Sequence, residues 1–457
     1  MVRIFTNDFP CRVPILIIKK MLVGECDLAT HTEATPNGES LRLVDRDRDV
    51  ISRQIFHDPA IYEQELELIF RKSWLLVGHE SQIPNVGDFF LSRMGEDQVI
   101  LSRSKDGKAN VFLNTCRHKG MRICRYDEGN TKLFVCPYHA WTYDLNGDLR
   151  GVPEKDSYPE SFNRKDWGLI KVAKVASFRG TVWATWNPDA PAFEDYLGDA
   201  KEPLWYGLGA WDGGDGEVEV YGGVQKWNIP CNWKFVSENS GGDPLHNISH
   251  RSTDLSKIGP REGVGRRDPF GELFLTATRN GHGLIFERVP IDKPREHYQL
   301  SKITSQYFED CWRRRVDRLG EKAGSPLVLA NIFPNAGFHT QQPRALIMAH
   351  PAGPRACQAW RMFFVDKNAP QEAKDFLRSY YISYSGPGGM TEQDDMENWN
   401  YASEGARVRG AQSAPFSYVA NSGSYSDPFI PGKVSKWWMT ERNNVAFYHA
   451  WADRLGY

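Results

Sequence analysis

Cys116-Arg-His118 and Cys136-Pro-Tyr-His139 each join one thiol to one imidazole, as C-x-H and C-x2-H, with seventeen residues between the pairs. Two Cys and two His suit either a tetrahedral zinc or a [2Fe-2S] cluster with one iron on two thiolates and the other on two imidazoles. Zinc fingers clip their ion with a Cys pair and then a His pair. Here each loop carries one ligand of each type, which is what a cluster with chemically different ends requires. Neutral imidazoles in place of two thiolates make the cluster less negative and raise its potential, so it accepts electrons from a low-potential donor. Cys124 has no partner at ligand spacing and reads as core packing.

A second dense segment runs from Asn232-Trp-Lys234 to His250. Asp243-Pro244 reads as a helix start, the carboxylate capping and the proline at the first helical position. His246 and His250 then stand at i and i+4, side by side on a regular helix, as a helix presents two ligands to one metal. Asn239 and Asp243 lie just upstream, where they can support those ligands by hydrogen bonds. A 2-His-1-carboxylate triad keeps positions on Fe(II) open for dioxygen and needs one carboxylate from elsewhere. The run Glu392-Gln-Asp394-Asp395-Met-Glu397 offers it, at a helix start where acidic residues are stabilising in any case.

These residues need elements to hold them. A helix is predicted from Pro59 to Ser73, capped by Asp58. Short strands follow at 74–77, 98–103, 110–114, 133–135 and 181–186, so that each Cys/His pair sits on a loop just after a strand. Helices are predicted at 370–381, capped by Asn368, and at 391–403 after the breaker Gly386-Pro-Gly-Gly389. Arg313-Arg314-Arg315 reads as an exposed helix face. The resulting organisation is a poorly ordered tail (1–48), a helical part (49–71), a small all-β domain (72–193) and a larger mixed domain (194–457).

The chain has 457 residues, enough for two domains, and 56 Lys+Arg against 58 Asp+Glu leave no basic field for nucleic acid. A hydrophobic share of 40% with 15 Trp and 24 Phe excludes global disorder. Eight cysteines over this length are not a disulfide framework, so a cytoplasmic protein with reduced thiols is expected. The apolar run 13–18 is too short to cross a membrane, no membrane association is expected, and Met21 offers an alternative start.

Two independent motifs in this order resemble the large (alpha) subunit of Rieske non-heme iron aromatic-ring-hydroxylating oxygenases, over about residues 50 to 457. The resemblance rests on Cys116-Arg-His-Lys-Gly120, Cys136 through Asp144, Asn232 through His250, Asn331-Ile-Phe-Pro-Asn335 and Gly386 through Asn398. It implies an α+β fold: a small all-β Rieske [2Fe-2S] domain inserted near the N-terminus of a larger catalytic domain, an antiparallel sheet flanked by helices (helix-grip, START-like). By the same resemblance Cys116, His118, Cys136 and His139 hold the cluster, and His246, His250 and Asp395 hold Fe(II). Asp243 bridges the two centres electronically, between His139 and His246, across neighbouring subunits. Val236, Phe333 and Phe338 are the candidates for the substrate pocket.

The implied reaction is cis-dihydroxylation of an aromatic compound in aromatic hydrocarbon catabolism, the alternative being a Rieske monooxygenase or demethylase. Electrons come from NADH through a separate reductase, often with a ferredoxin, in keeping with the lack of a G-x-G-x-x-G fingerprint. Arg117, Lys119, Arg122 and Arg125 flank the cluster loop as docking candidates for an acidic ferredoxin. A homotrimer, or an alpha3beta3 assembly with a small beta subunit, is the implied state. The chain departs from the family in having three residues between the iron-ligand histidines, where four or more are usual, and Leu245 where Tyr is usual.

Overall fold

The computed structural model describes residues 42–258, 273–292 and 301–457, apart from positions 342, 422 and 438. The apolar run 13–18, Met21 and most of the expected tail lie outside the described residues. The tail's last residues are ordered, contrary to expectation. Val44–Asp45 pairs antiparallel with Val50–Ile51, which pairs in turn with Phe416–Ser417. Asp45 closes the hairpin by accepting from the backbone N–H of Asp47 and Arg48, a local turn that the charged composition concealed.

Helix α1 spans Pro59–Glu65, and Asp58 accepts from Ala60 N and Ile61 N as predicted. It passes into a wider turn at Leu66–Phe70 instead of continuing regularly to Ser73. Strand β1 (Leu75–His79) follows, then a meander of β2 (Asp88–Met94), β3 (Asp97–Arg103) and β4 (Ala109–Leu113), with β5 (Glu128–Asn130) added beside β2. β6 (Phe134–Val135), β7 (Thr142–Tyr143) and β8 (Leu149–Gly151) form a second small sheet. β9 (Lys174–Phe178) and β10 (Thr181–Thr185) pair with β1 in a third. One apolar cluster, including Phe89, Ile100, Phe112, Phe134 and Tyr143, also takes in Cys116, Cys124 and Cys136.

Among the described residues, the rest is built on one antiparallel sheet of nine strands. In chain order they are β11 (Val218–Ile229), β12 (Leu273–Ala277), β13 (Gly283–Glu287), β14 (Leu327–Ile332), β15 (Ala336–His339), β16 (Ala345–Pro351), β17 (Cys357–Asp366), β18 (Ser424–Tyr425) and β19 (Val434–Ser435). Their order across the sheet is β11-β17-β16-β15-β14-β13-β12-β19-β18. The register places Phe338, Leu346 and Met362 in one cross-strand row and Gly337, Ile347 and Arg361 in the next, on opposite faces.

Among the described residues, the helices of ten or more residues around this sheet are α2 (Trp233–Gly242), α3 (Lys302–Leu319), α4 (Gln371–Tyr384), α5 (Met390–Ala406) and α6 (Arg442–Leu455). Helix α2 lies hard against the Gly337 face. A Cβ on Gly241 would meet Asn331 N at 2.4 Å and Gly283 O at 2.8 Å, so the approach needs a residue without a side chain. Asn443 of α6 fastens this contact, donating to Gly241 O at 2.6 Å and to Leu284 O at 3.2 Å. Beneath it, Lys234 pairs with Glu65, both wholly buried, and Glu65 also accepts from Trp233 Nε1 (2.8 Å) and Trp451 Nε1 (2.7 Å). That junction ties α1, α2 and α6 together.

Two further sequence expectations need correction. Helix α4 is preceded at the cap position by Pro370, not Asn368, because a proline forces the residue before it out of helical backbone and so delays the start. On α3, Arg313 and Arg314 are exposed, but Arg315 shares the buried stripe of Phe308, Cys311 and Trp312. The described cysteines are all free and buried.

Candidate metal centres and the carboxylate beside them

Cys116 follows β4 and Cys136 follows β6, and each opens a loop with the same internal bonding. Cys116 N donates to Met121 O (2.8 Å) and Gly120 N to Cys116 O (2.9 Å); Cys136 N donates to Trp141 O (2.8 Å) and Ala140 N to Cys136 O (2.9 Å). The fifth residue of each loop is left-handed, with φ +71° at Gly120 and +52° at Ala140. The two tips converge. His118 and His139 have ring centroids 4.6 Å apart, and His118 stacks on Trp141 at 5.1 Å. Tyr138 packs on His139 at 3.7 Å.

Sequence reasoning missed Tyr143, whose hydroxyl meets Cys116 Sγ at 3.3 Å and accepts from Arg117 N at 3.1 Å. Its place in the C-P-Y-H-A-W-T-Y run was the available signal. Burial pushes the Cys116 thiol above its ordinary value, with Cys136 beside it adding to the effect. His118 Nδ1 is buried with no hydrogen-bond partner among the described residues. Two buried thiols and an unpaired imidazole nitrogen are donors that a two-iron cluster would satisfy. Arg117 lies over Trp167 and donates to Gly168 O, so it serves the loop, whereas Lys119, Arg122 and Arg125 are exposed.

The second group is tighter. Ligand atoms of His246, His250 and Asp395 all lie within 4.8 Å of one another. His246 Nε2 is 3.5 Å and His250 Nε2 3.3 Å from the same oxygen, Asp395 Oδ1. Donors each about 2.1 Å from one ion would stand ~3.0 to 3.4 Å apart at open or tetrahedral angles, so this spacing fits a bound metal. Asp395 is buried, its carboxyl is pushed well above the carboxylate range by burial, and its Oδ1 has no hydrogen-bond partner among the described residues. A cation at that point would satisfy it.

Both rings are held from behind. His246 Nδ1 contacts Asp243 O, leaving Nε2 to face Asp395. His250 Nδ1 lies 3.4 Å from Asp394 Oδ2, which also accepts from Ser252 Oγ at 2.6 Å. Asp394 is therefore a carboxylate that orients a histidine from behind, a role its place in the acidic run did not reveal. The histidines do not ride a regular helix as expected: Pro244–His250 is a 3-10 helix. Asp243 tightens it, accepting from Leu245 N (3.1 Å) and His246 N (3.2 Å). The same carboxylate lies 3.9 Å from His246 Nδ1. Asn239 is half-buried near the end of α2, one turn before Asp243.

The pocket candidates are all buried, and Phe338 lies on the sheet face opposite Gly337. Phe333 lies under Arg454 (4.3 Å) and beside Phe447 (5.1 Å), and Phe338 faces Trp183 (6.2 Å). Strand alternation turns Phe338 away from the face that carries Gly337 and His339, and it is His339 that feels the charge of His246. Val236 is wholly buried on α2. His339 was missed by the sequence reading; period-two alternation along β15 was the available signal.

Two loops able to hold a [2Fe-2S] cluster, and a separate 2-His-1-carboxylate group on a helix-flanked antiparallel sheet, define a two-centre iron oxygenase. Residues 73–176 match the Rieske [2Fe-2S] domain and residues 215–456 the catalytic domain of the ring-hydroxylating alpha subunit. The chain is 38% identical over 429 residues to the biphenyl 2,3-dioxygenase alpha subunit of Rhodococcus jostii, covering 89% of each chain. It is 34% identical to the benzene 1,2-dioxygenase alpha subunit of Pseudomonas putida, over 93% of this chain and 97% of that one. A naphthalene 1,2-dioxygenase structure with indole in its active site superposes with a TM-score of 0.81 at 30% identity, covering 91% of this chain and 94% of that chain.

The chain belongs to the Rieske non-heme iron aromatic-ring-hydroxylating oxygenases, as a large (alpha) subunit. It is an oxidoreductase, the terminal oxygenase of a dioxygenase system, with a Rieske cluster and a mononuclear iron as cofactors, electron-transfer proteins as partners and aromatic compounds as substrates. Among the described residues no helix is long and apolar enough to cross a membrane.

Proposed function

We propose that this subunit cis-dihydroxylates an aromatic hydrocarbon of the biphenyl, benzene or naphthalene class, the substrates named for its relatives. Cys116, Cys136, His118 and His139 hold the cluster in a domain of about residues 72–193. His246, His250 and Asp395 hold the iron in a domain formed by 49–71 and 194–457. When bound, these groups supply single electrons and a dioxygen-activating centre. The observation that carries the reading is the aim of His246 Nε2 and His250 Nε2 at one oxygen of Asp395, at 3.5 and 3.3 Å.

The chain's own residues do the rest. Asp394 and the Asp243 carbonyl fix the ring orientations, so that each imidazole offers Nε2. The Asp243 carboxylate stands beside His246 and bridges it by hydrogen bonding to His139 of a neighbouring copy in a trimer, with or without a small beta subunit. The exposed side chains of Tyr126, Leu133, Val135 and Tyr138 near the cluster loops, and of Ile248, Leu255 and Tyr401 near the iron group, support such an apolar contact between copies. A cytoplasmic location completes the reading.

The test is a system reconstituted with reductase and ferredoxin, given a panel of aromatic compounds under isotopically labelled dioxygen. Two labelled oxygens in a cis-diol are expected. One labelled oxygen in a phenol or a dealkylated product would establish the monooxygenase alternative instead.

A further inference from the structure

Arg361 lies on β17, on the Gly337 face, and is almost wholly buried. Its Nη2 bonds Glu392 Oε2, and side-chain exposures of 4% and 1% mean that water cannot share the pair. Glu392 stands in the first turn of α5, and its Oε2 also accepts from Gly386 N at 3.2 Å. Thr391 next to it donates to Tyr384 O at 2.6 Å. These bonds anchor the start of α5 to the sheet and to the turn before it. Asp395 is three residues after Glu392, on the next turn of the same helix face.

The pair is not complete as an isolated ion pair. Arg361 Nε and Nη1, and Glu392 Oε1, are buried without a hydrogen-bond partner among the described residues. Burying two charges with donors left over is costly, and apolar residues of similar volume would serve stability as well or better. The pair therefore calls for a role other than packing. Asp395 supplies one: the turn that the pair anchors is the start of the helix that presents Asp395 to the two histidines. The single Nη2–Oε2 bond is made by a guanidinium that stays charged at any working pH, so the tether to Glu392 is permanent.

We propose that Arg361 and Glu392 are positioning residues for the iron: together they hold the first turn of α5 so that Asp395 Oδ1 meets His246 and His250. The inference rests on the reading of Asp395 as an iron ligand. It is tested in the full-length, cluster-loaded protein by Fe(II) affinity, measured against a colorimetric chelator. Arg361→Lys and the paired change Arg361→Met with Glu392→Leu are compared with wild type.

The paired change leaves no orphaned charge, so the fold, the melting temperature and the cluster's visible spectrum should persist. Iron affinity should fall in the order wild type, Arg361→Lys, paired variant, the last by about tenfold or more, the usual effect of removing support behind a metal ligand. Wild-type iron affinity in the paired variant would overturn the inference. Should that variant not fold, wild-type affinity in Arg361→Lys would overturn it instead. Asp395→Ala is the separate control. If it keeps its mononuclear iron, the ligand assignment has failed; if it loses iron while the other variants keep theirs, only the positioning role has failed.

Discussion

At the scale of single residues, the acidic run on α5 divides its work. Asp395 turns inward to both histidines, while its neighbour Asp394 bonds Ser252 and the far side of His250. Asp395→Ala should remove one of three irons per chain, whereas Asp394→Ala should keep that iron with affinity lowered about tenfold or more, read by metal analysis and chelator competition. Full iron loss in Asp394→Ala with retention in Asp395→Ala would reverse the assignment. Asp243→Ala should leave the cluster's visible spectrum intact and abolish product formation; substantial turnover would remove the bridging role. At the other centre, Tyr143→Phe deletes the hydroxyl 3.3 Å from Cys116 Sγ. A hydrogen bond that stabilises the reduced, more negative cluster is lost, so the potential should drop by on the order of tens of millivolts in a redox titration.

At the scale of elements, the ligand loops are short and strand-anchored, which is why their sequence spacing was so readable. Their Cys-to-fifth-residue turns are local, set by the backbone bonds around Cys116 and Cys136. The histidine helix was less readable, because its 3-10 form comes from Asp243 bonding two backbone N–H groups after α2 has ended, and the i,i+4 spacing alone suits a regular helix. The junction of α1, α2 and α6 was not readable at all. Lys234 and Glu65 are distant in sequence and look like ordinary surface charges, yet both are wholly buried and ringed by Trp233, Trp451 and Phe56. Lys234→Met would strand the Glu65 carboxylate and should cost about 3–5 kcal/mol in urea unfolding. A loss under ~1 kcal/mol would show that water reaches the site.

At the scale of the whole molecule, several histidines other than the proposed iron ligands are buried as neutral rings. Burial pushes His79 and His282 down to about 4 and His350 down to about 3, from 6.5. In His282 both nitrogens are engaged, Nδ1 accepting from Phe333 N at 3.0 Å and Nε2 facing Tyr196 O at 2.8 Å. The unfolded chain binds these protons first. Stability is thus complete above 6.5 and is lost as pH falls toward 4 and 3, at up to about 1.4 kcal/mol per pH unit for each ring. Urea midpoints measured from about pH 7 to about pH 5 should fall steadily; a flat profile would contradict neutral burial. By itself the sequence determined the ligand chemistry, the order of the two centres and the family. Those follow from residue types at short spacing, where backbone geometry leaves few choices. The tertiary structure decided which of two adjacent aspartates turns inward, which face of β15 meets the histidines, and which charges are buried. Such features depend on contacts between segments far apart in the chain, and no local pattern encodes them.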